Sequence, residues 1–226
     1  MAAWDYVQNF DGLSTVILGG QDSWDGTDVN LTVQTGVVLQ GTKSVKVLDA
    51  ITTSVRTVSF DSGIWYFMRQ CDSAPGGGDQ AISFRTATNY MTVVKFTGSA
   101  PLKLQYYSSG AYSDLVGSAS TSTLYWVGID YDGAGSQFKI RVGTSGGWSG
   151  DWSAYVPTGT ASTTSFDSIR IGQDAGTSYL DNFTTTDPFA AAGPANLKSL
   201  DTNLKANIKS YNTNLIANVK SINTNV

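Results

Sequence analysis

The chain has 226 residues and a net charge of −4, with no histidine, no glutamate and a single cysteine. Histidine-based triads cannot be assembled from it, zinc would have only aspartates and Cys71 to bind, and acid/base work would fall to aspartate alone. The acidic balance gives no electrostatic footprint for nucleic acid, and no run reaches the ~18 apolar residues of a membrane helix, so neither nucleic acid nor membrane is an expected partner.

The opening Met1-Ala2-Ala3-Trp4-Asp5-Tyr6 has neither a basic start nor an apolar run, so no signal peptide is expected. From Tyr6 to about Thr186 short segments alternate apolar and polar residues between clusters of Gly, Asp, Ser and Asn, as half-buried antiparallel strands do. In chain order the expected strands are Tyr6–Phe10, Asp28–Val33, Ser44–Leu48, Thr53–Phe60, Ile64–Gln70, Ala81–Thr86, Tyr90–Thr97 and Leu102–Tyr107. Leu124–Tyr131, Gln137–Val142, Ser153–Val156, Phe166–Ile171 and Ser178–Thr184 follow. This many strands and no convincing helix predict two packed sheets. With one cysteine, no internal disulfide can hold them, so the core must; Cys71 itself reads as a small apolar residue.

At Ala190-Ala191-Ala192-Gly193-Pro194 the composition changes, and an 11-residue repeat follows: Asn196 to Thr202, Asn203 to Thr213, Asn214 to Thr224. From Pro194 onward the charge is +3, against −7 for the rest. Leu204, Ile208, Tyr211, Leu215, Val219 and Ile222 belong to a stripe spaced 3-4-4, the 3.67-residue period of a right-handed helical supercoil. The abundance of Asn, Thr, Ser and β-branched residues argues instead for short strands with Asn-Thr-Asn turns. Neither form can bury so narrow a stripe alone, so the tail is expected to pack on copies of itself or on another protein; the alternative is a disordered extension.

Tyr6-Val-Gln-Asn-Phe10-Asp-Gly-Leu, Leu124-Tyr-Trp-Val-Gly-Ile-Asp130-Tyr-Asp-Gly133 with Phe138-Lys-Ile-Arg-Val142, and the closing Tyr179-Leu-Asp-Asn-Phe183 resemble the LamG-like, concanavalin A-like jelly roll. The resemblance implies an all-β, antiparallel jelly-roll β-sandwich over residues 1–189, a linker over 190–195 and a tail over 196–226. The tail is similar to lysine-serine-(Ile/Val)-Asn repeats at the ends of bacteriophage and environmental viral structural proteins. Together they imply a non-enzymatic virion component, a fibre, tail or capsid-decoration subunit that assembles with itself or other virion proteins through the tail. Such a protein belongs to the virion or an extracellular surface and leaves by lysis without a signal peptide. The alternative is a carbohydrate-binding adhesion module, or a subunit of a host-encoded extracellular filament.

Glucanases of this fold use a strand motif with two glutamates, which this sequence cannot supply. Asp130 and Asp132 lie two apart and could imitate an acid/base pair, but their Gly-rich setting favours turn-forming aspartates. Many members of the fold bind calcium, and Asp22, Asp25 and Asp28 in one loop are the candidate ligands, with solvated turn aspartates as the alternative. For a glycan the candidates are Trp148, Asp151 and Trp152 in a Gly-rich loop, with Tyr107 and Tyr112 flanking another; packing over the sheet end is the alternative. Trp4, Trp65 and Trp126 are expected in the core.

Overall fold

The computed structural model describes residues 6–48, 54–73, 80–97, 100–173 and 176–190. The strands are β1 (Leu31–Gln34), β2 (Ser44–Leu48), β3 (Ser54–Phe60), β4 (Ser62–Ser73), β5 (Gln80–Arg85), β6 (Tyr90–Phe96) and β7 (Leu104–Ser108). Then come β8 (Ala111–Val116), β9 (Leu124–Asp132), β10 (Gln137–Thr144), β11 (Gly147–Trp148), β12 (Val156–Pro157), β13 (Phe166–Gln173) and β14 (Thr177–Thr184). Among the described residues there is no helix.

One sheet has eight strands in the order β1-β2-β14-β4-β9-β10-β11, with β12 also on β10; the other has six, in the order β3-β13-β5-β6-β7-β8. The protein is an all-β, antiparallel jelly-roll β-sandwich. Strand alternation decides what lies between the sheets: Trp65 and Phe67 of β4 point inward, as do Val127, Ile129 and Tyr131 of β9. They meet Phe60, Phe84 and Phe166 from the facing sheet, with Trp65 5.5 Å from Phe84 and 6.4 Å from Phe60, and Tyr131 5.5 Å from Phe166. Each such ring contributes roughly 2–3 kcal/mol on burial, which is how a chain without disulfides holds two sheets together. Cys71 is a buried thiol within this core.

The strands differ from expectation in several places. Of Ser153–Val156 only Val156 is strand, in β12 on β10, because the Ser153 hydroxyl takes the Ile140 N–H in place of a backbone carbonyl, and β11 is unpredicted. Tyr6–Phe10 is not a strand: Phe10 has φ 60° and only Gln8 forms a bridge, to Phe183. β1 begins at Leu31 because Asp28 accepts the Asn30 N–H at 2.9 Å in a turn. β8, unpredicted, pairs with β7 across Ser109-Gly110, both at positive φ, and leaves most of its side chains exposed.

The chain separates into Met1–Pro188 and Phe189–Val226. The expected tail stripe, Leu204 to Ile222, and Trp4 lie outside the described residues.

Candidate functional site

The side of the eight-stranded sheet facing away from the core carries the cluster of interest. Strand register sets its rows: Tyr66, Gly128 and Arg141 lie side by side on β4, β9 and β10, and Met68, Trp126 and Gly143 form the next row. Two glycines on this side leave room for indoles. A Cβ at Gly128 would lie 3.0 Å from the Tyr66 ring and 3.1 Å from Trp152. At Gly143 it would lie 2.5 Å from the Gly147 carbonyl and 3.0 Å from Trp148. Gly128→Ala should therefore cost about 1 kcal/mol through displacement of Tyr66 and Trp152, read as a lower thermal midpoint.

Arg141 organises these rings. Its guanidinium lies 3.9 Å from the Trp148 ring, 4.2 Å from Trp152 and 5.4 Å from Tyr66. Nη2 donates to the Tyr66 hydroxyl at 3.0 Å and to Asp187 Oδ2 at 2.6 Å, while Trp148 Nε1 donates to Asp187 Oδ1 at 3.0 Å. Asp187 follows β14, so residues 185–188 cross the sheet to reach β10 and β11. Burial raises the Tyr66 hydroxyl pKa, which the Arg141 hydrogen bond partly offsets.

Beside this cluster is a pocket of about 280 Å³ lined by Gln40, Trp126, Asn182, Thr184, Thr186 and Pro188. Its wall rests on Asp181, a fully buried carboxylate that accepts the Gln40 N–H at 3.0 Å and the Asn182 N–H at 2.7 Å. Asn182 has φ 50°, in the left-handed region, and its side-chain amide donates to Gln40 Oε1. Burial pushes Asp181 up to about 7, and the field of Asp11 adds to the shift.

Of the expected glycan residues, Trp148 and Trp152 come together around Arg141, and Asp151 is exposed between them. Tyr107 and Tyr112 pair with each other instead, 5.0 Å apart on the six-stranded sheet, with Lys95 Nζ 3.6 Å from the Tyr112 ring. Leu104 and Tyr106 take the inward positions of β7, so the two tyrosines face out on the side opposite the tryptophans. The five residues therefore form two clusters. Trp65 is core as expected; Trp126 is buried as expected, at 5% exposed, but on the outer side of the sheet, outside the inter-sheet cluster, where it lines the pocket.

The three candidate calcium ligands do not converge. Asp22 Oδ2 accepts from Tyr6 at 3.0 Å and Gln8 at 2.8 Å and pairs with Arg56 at 3.2 Å. Asp25 accepts the Val55 N–H at 2.7 Å, and Asp28 closes its own turn. These bonds tie the N-terminal loop to β3, and among the described residues no three metal-ligating side chains gather. Asp132 is a turn aspartate, held below the usual carboxylate range by hydrogen bonds from Gln137 and Gly135. Asp130 faces out opposite Lys139, and partial burial raises its pKa.

No protein-family model matches the chain, and no curated protein matches it. Solved structures do. A sialidase superposes with a TM-score of 0.58 at 11% identity, over 81% of this chain and only 18% of the sialidase chain. The catalytic domain of a glycoside hydrolase family 131 protein from Coprinopsis cinerea superposes with a TM-score of 0.57 at 14% identity, over 85% of this chain and 98% of that one. At these identities the likeness is one of fold.

Proposed function

We propose that residues 1–189 form a non-enzymatic carbohydrate-binding module that uses the outward side of the eight-stranded sheet. The observation that carries this reading is a pair of part-exposed indoles, Trp148 and Trp152, packed on Tyr66 beside a pocket of amides and hydroxyls that Trp126 lines. Sugars demand that combination, because their C–H faces stack on rings while their hydroxyls need groups that both donate and accept. Against an enzyme stands the state of the carboxylates on this side. Asp187 is bound to Arg141 and Trp148, Asp181 holds two backbone N–H groups, and Asp130 faces Lys139. No glutamate is present to complete an acid and base pair.

The test is a glycan array followed by solution titration. One glycan class should bind wild type, and Trp152→Ala should weaken it by about tenfold or more while remaining folded. An array with no bound glycan would remove the reading.

The 11-residue repeat supports a second, compatible reading: the module is displayed on a virion or extracellular filament and assembles or docks through Leu204, Ile208, Tyr211, Leu215, Val219 and Ile222. Light scattering should give a defined oligomer for the full chain and a monomer for a chain ending at Phe189. Monomers in both cases would rule out self-assembly through the repeat.

A further inference from the structure

We propose that the pocket beside Trp126 selects neutral, hydroxyl-only saccharides over acidic ones, with Gln40 and Asn182 as the specificity-determining pair; this rests on the carbohydrate-binding reading. The lining side chains Gln40, Trp126, Asn182, Thr184, Thr186 and Pro188 are all uncharged. The Asn182 side chain donates to Gln40 Oε1, leaving the Gln40 amide nitrogen as a donor and Asn182 Oδ1 as an acceptor. A sugar hydroxyl, which donates and accepts at once, matches that pair; a carboxylate, which only accepts, would set its charge against Asn182 Oδ1.

The surroundings reinforce the selection. Asp181 stands directly behind the pair. Asp11 Oδ1 holds the same loop from its other end, accepting the Thr42 N–H at 2.7 Å and the Lys43 N–H at 2.9 Å. An incoming carboxylate would thus approach the Asp11 anion in a partly desolvated pocket, where like charges repel more strongly than in water. The nearby cations are already engaged. Arg141 is neutralised by Asp187, Lys139 faces Asp130, and Lys43 donates to the Leu13 carbonyl. Lys46 pairs in register with Tyr179 on β14, two residues along the strand from Asp181, and is not part of the pocket lining.

The backbone supports a built site. Asn182 holds a left-handed conformation that most side chains avoid, and the Asp181 clasp keeps it there. Asn182→Gly thus removes the amide without straining the chain, and Gln40→Ala removes the other while its backbone N–H still reaches Asp181.

The experiment titrates the full chain, by tryptophan fluorescence and calorimetry, with oligosaccharides of glucose, mannose and galactose. Acidic counterparts, mannohexaose against its mannuronate analogue and lactose against sialyllactose, are run beside them. The expected result is saturable binding of a neutral oligosaccharide, an acidic counterpart weaker by about tenfold or more, and a loss of about tenfold in both variants with unchanged melting. Preference for the acidic partner would overturn the charge selection and leave the carbohydrate-binding reading standing. Neutral binding unaltered by both variants would overturn the assignment of the pair. Failure of every glycan would remove the proposal together with the reading on which it rests.

Discussion

The thermal midpoint of the wild-type chain should fall as the pH rises from 5 to 8, and Asp181→Asn should flatten that slope. Burial raises the Asp181 pKa from the ordinary carboxyl value of 3.8 to about 7. Between those values the folded chain keeps a proton that the unfolded chain has released. Unfolding then releases that proton, and stability declines with rising pH until the folded carboxyl is itself ionised, near pH 7. A shift of this size corresponds to at most about 4 kcal/mol across the window.

The window is unusually free of other titrations, because the chain has no histidine. Asp130, also raised by partial burial, adds a smaller effect of the same sign at the acidic end. Asp11, Asp114 and Asp132 are lowered by hydrogen bonds, so their contributions are present above the ordinary carboxylate range and are lost only in stronger acid. Asparagine at 181 is neutral throughout but can accept only one of the two N–H groups through its single oxygen, a cost of about 1 kcal/mol that does not vary with pH. Melting scans at half-unit steps would check the slope; parallel curves for the two proteins would show that Asp181 does not titrate in this window.

Much of the sandwich is legible in the sequence because alternation is a direct imprint of a half-buried strand. Ser44–Leu48 falls at its expected bounds, and the Leu124–Tyr131 and Gln137–Val142 hairpin is found with slightly longer arms. What escapes is set by three-dimensional neighbours. β8 has little apolar alternation because it is an exposed edge strand, stabilised by its pairing with β7. Tyr6–Phe10 has the pattern but forms a single bridge, Gln8 to Phe183, and its turn breaks the ladder.

The site was half legible. Trp148 and Trp152 could be singled out from their Gly-rich loop, yet nothing local connects them to Arg141 or to Asp187. The location of Trp126 was within reach, since Tyr125, Val127, Ile129 and Tyr131 share the inward parity and so place it outward with Gly128 and Asp130. Gln40 and Asn182, 142 residues apart in sequence, meet only because β14 returns between β2 and β4. Asp22, Asp25 and Asp28 show the converse: regular spacing in a loop, three separate partners in space.

Arg141→Ala should cost about 3–4 kcal/mol and abolish glycan binding, the largest effect expected of any single change on the outward side of the sheet. The side chain does several jobs from one position: it fills the gap between two indoles, donates to Tyr66 and neutralises Asp187, whose other oxygen takes the Trp148 N–H. Truncation leaves a partly buried carboxylate without its cation and removes the packing that holds residues 149–153 and 185–188 against β10. Arg141→Lys should recover little. An ammonium cannot lie flat between two rings, so a loss of about 2 kcal/mol is expected to remain. The diagnostic measurement is a double-mutant cycle by denaturant unfolding with Arg141→Ala, Asp187→Ala and the pair. Because each single change strands the opposite charge, the double variant should be more stable than the summed losses imply, by about 1–3 kcal/mol. Additive losses would mean that Arg141 acts through its packing on Trp148 and Trp152 alone; in that case Arg141→Met, which keeps the bulk without the charge, should restore most of the lost stability.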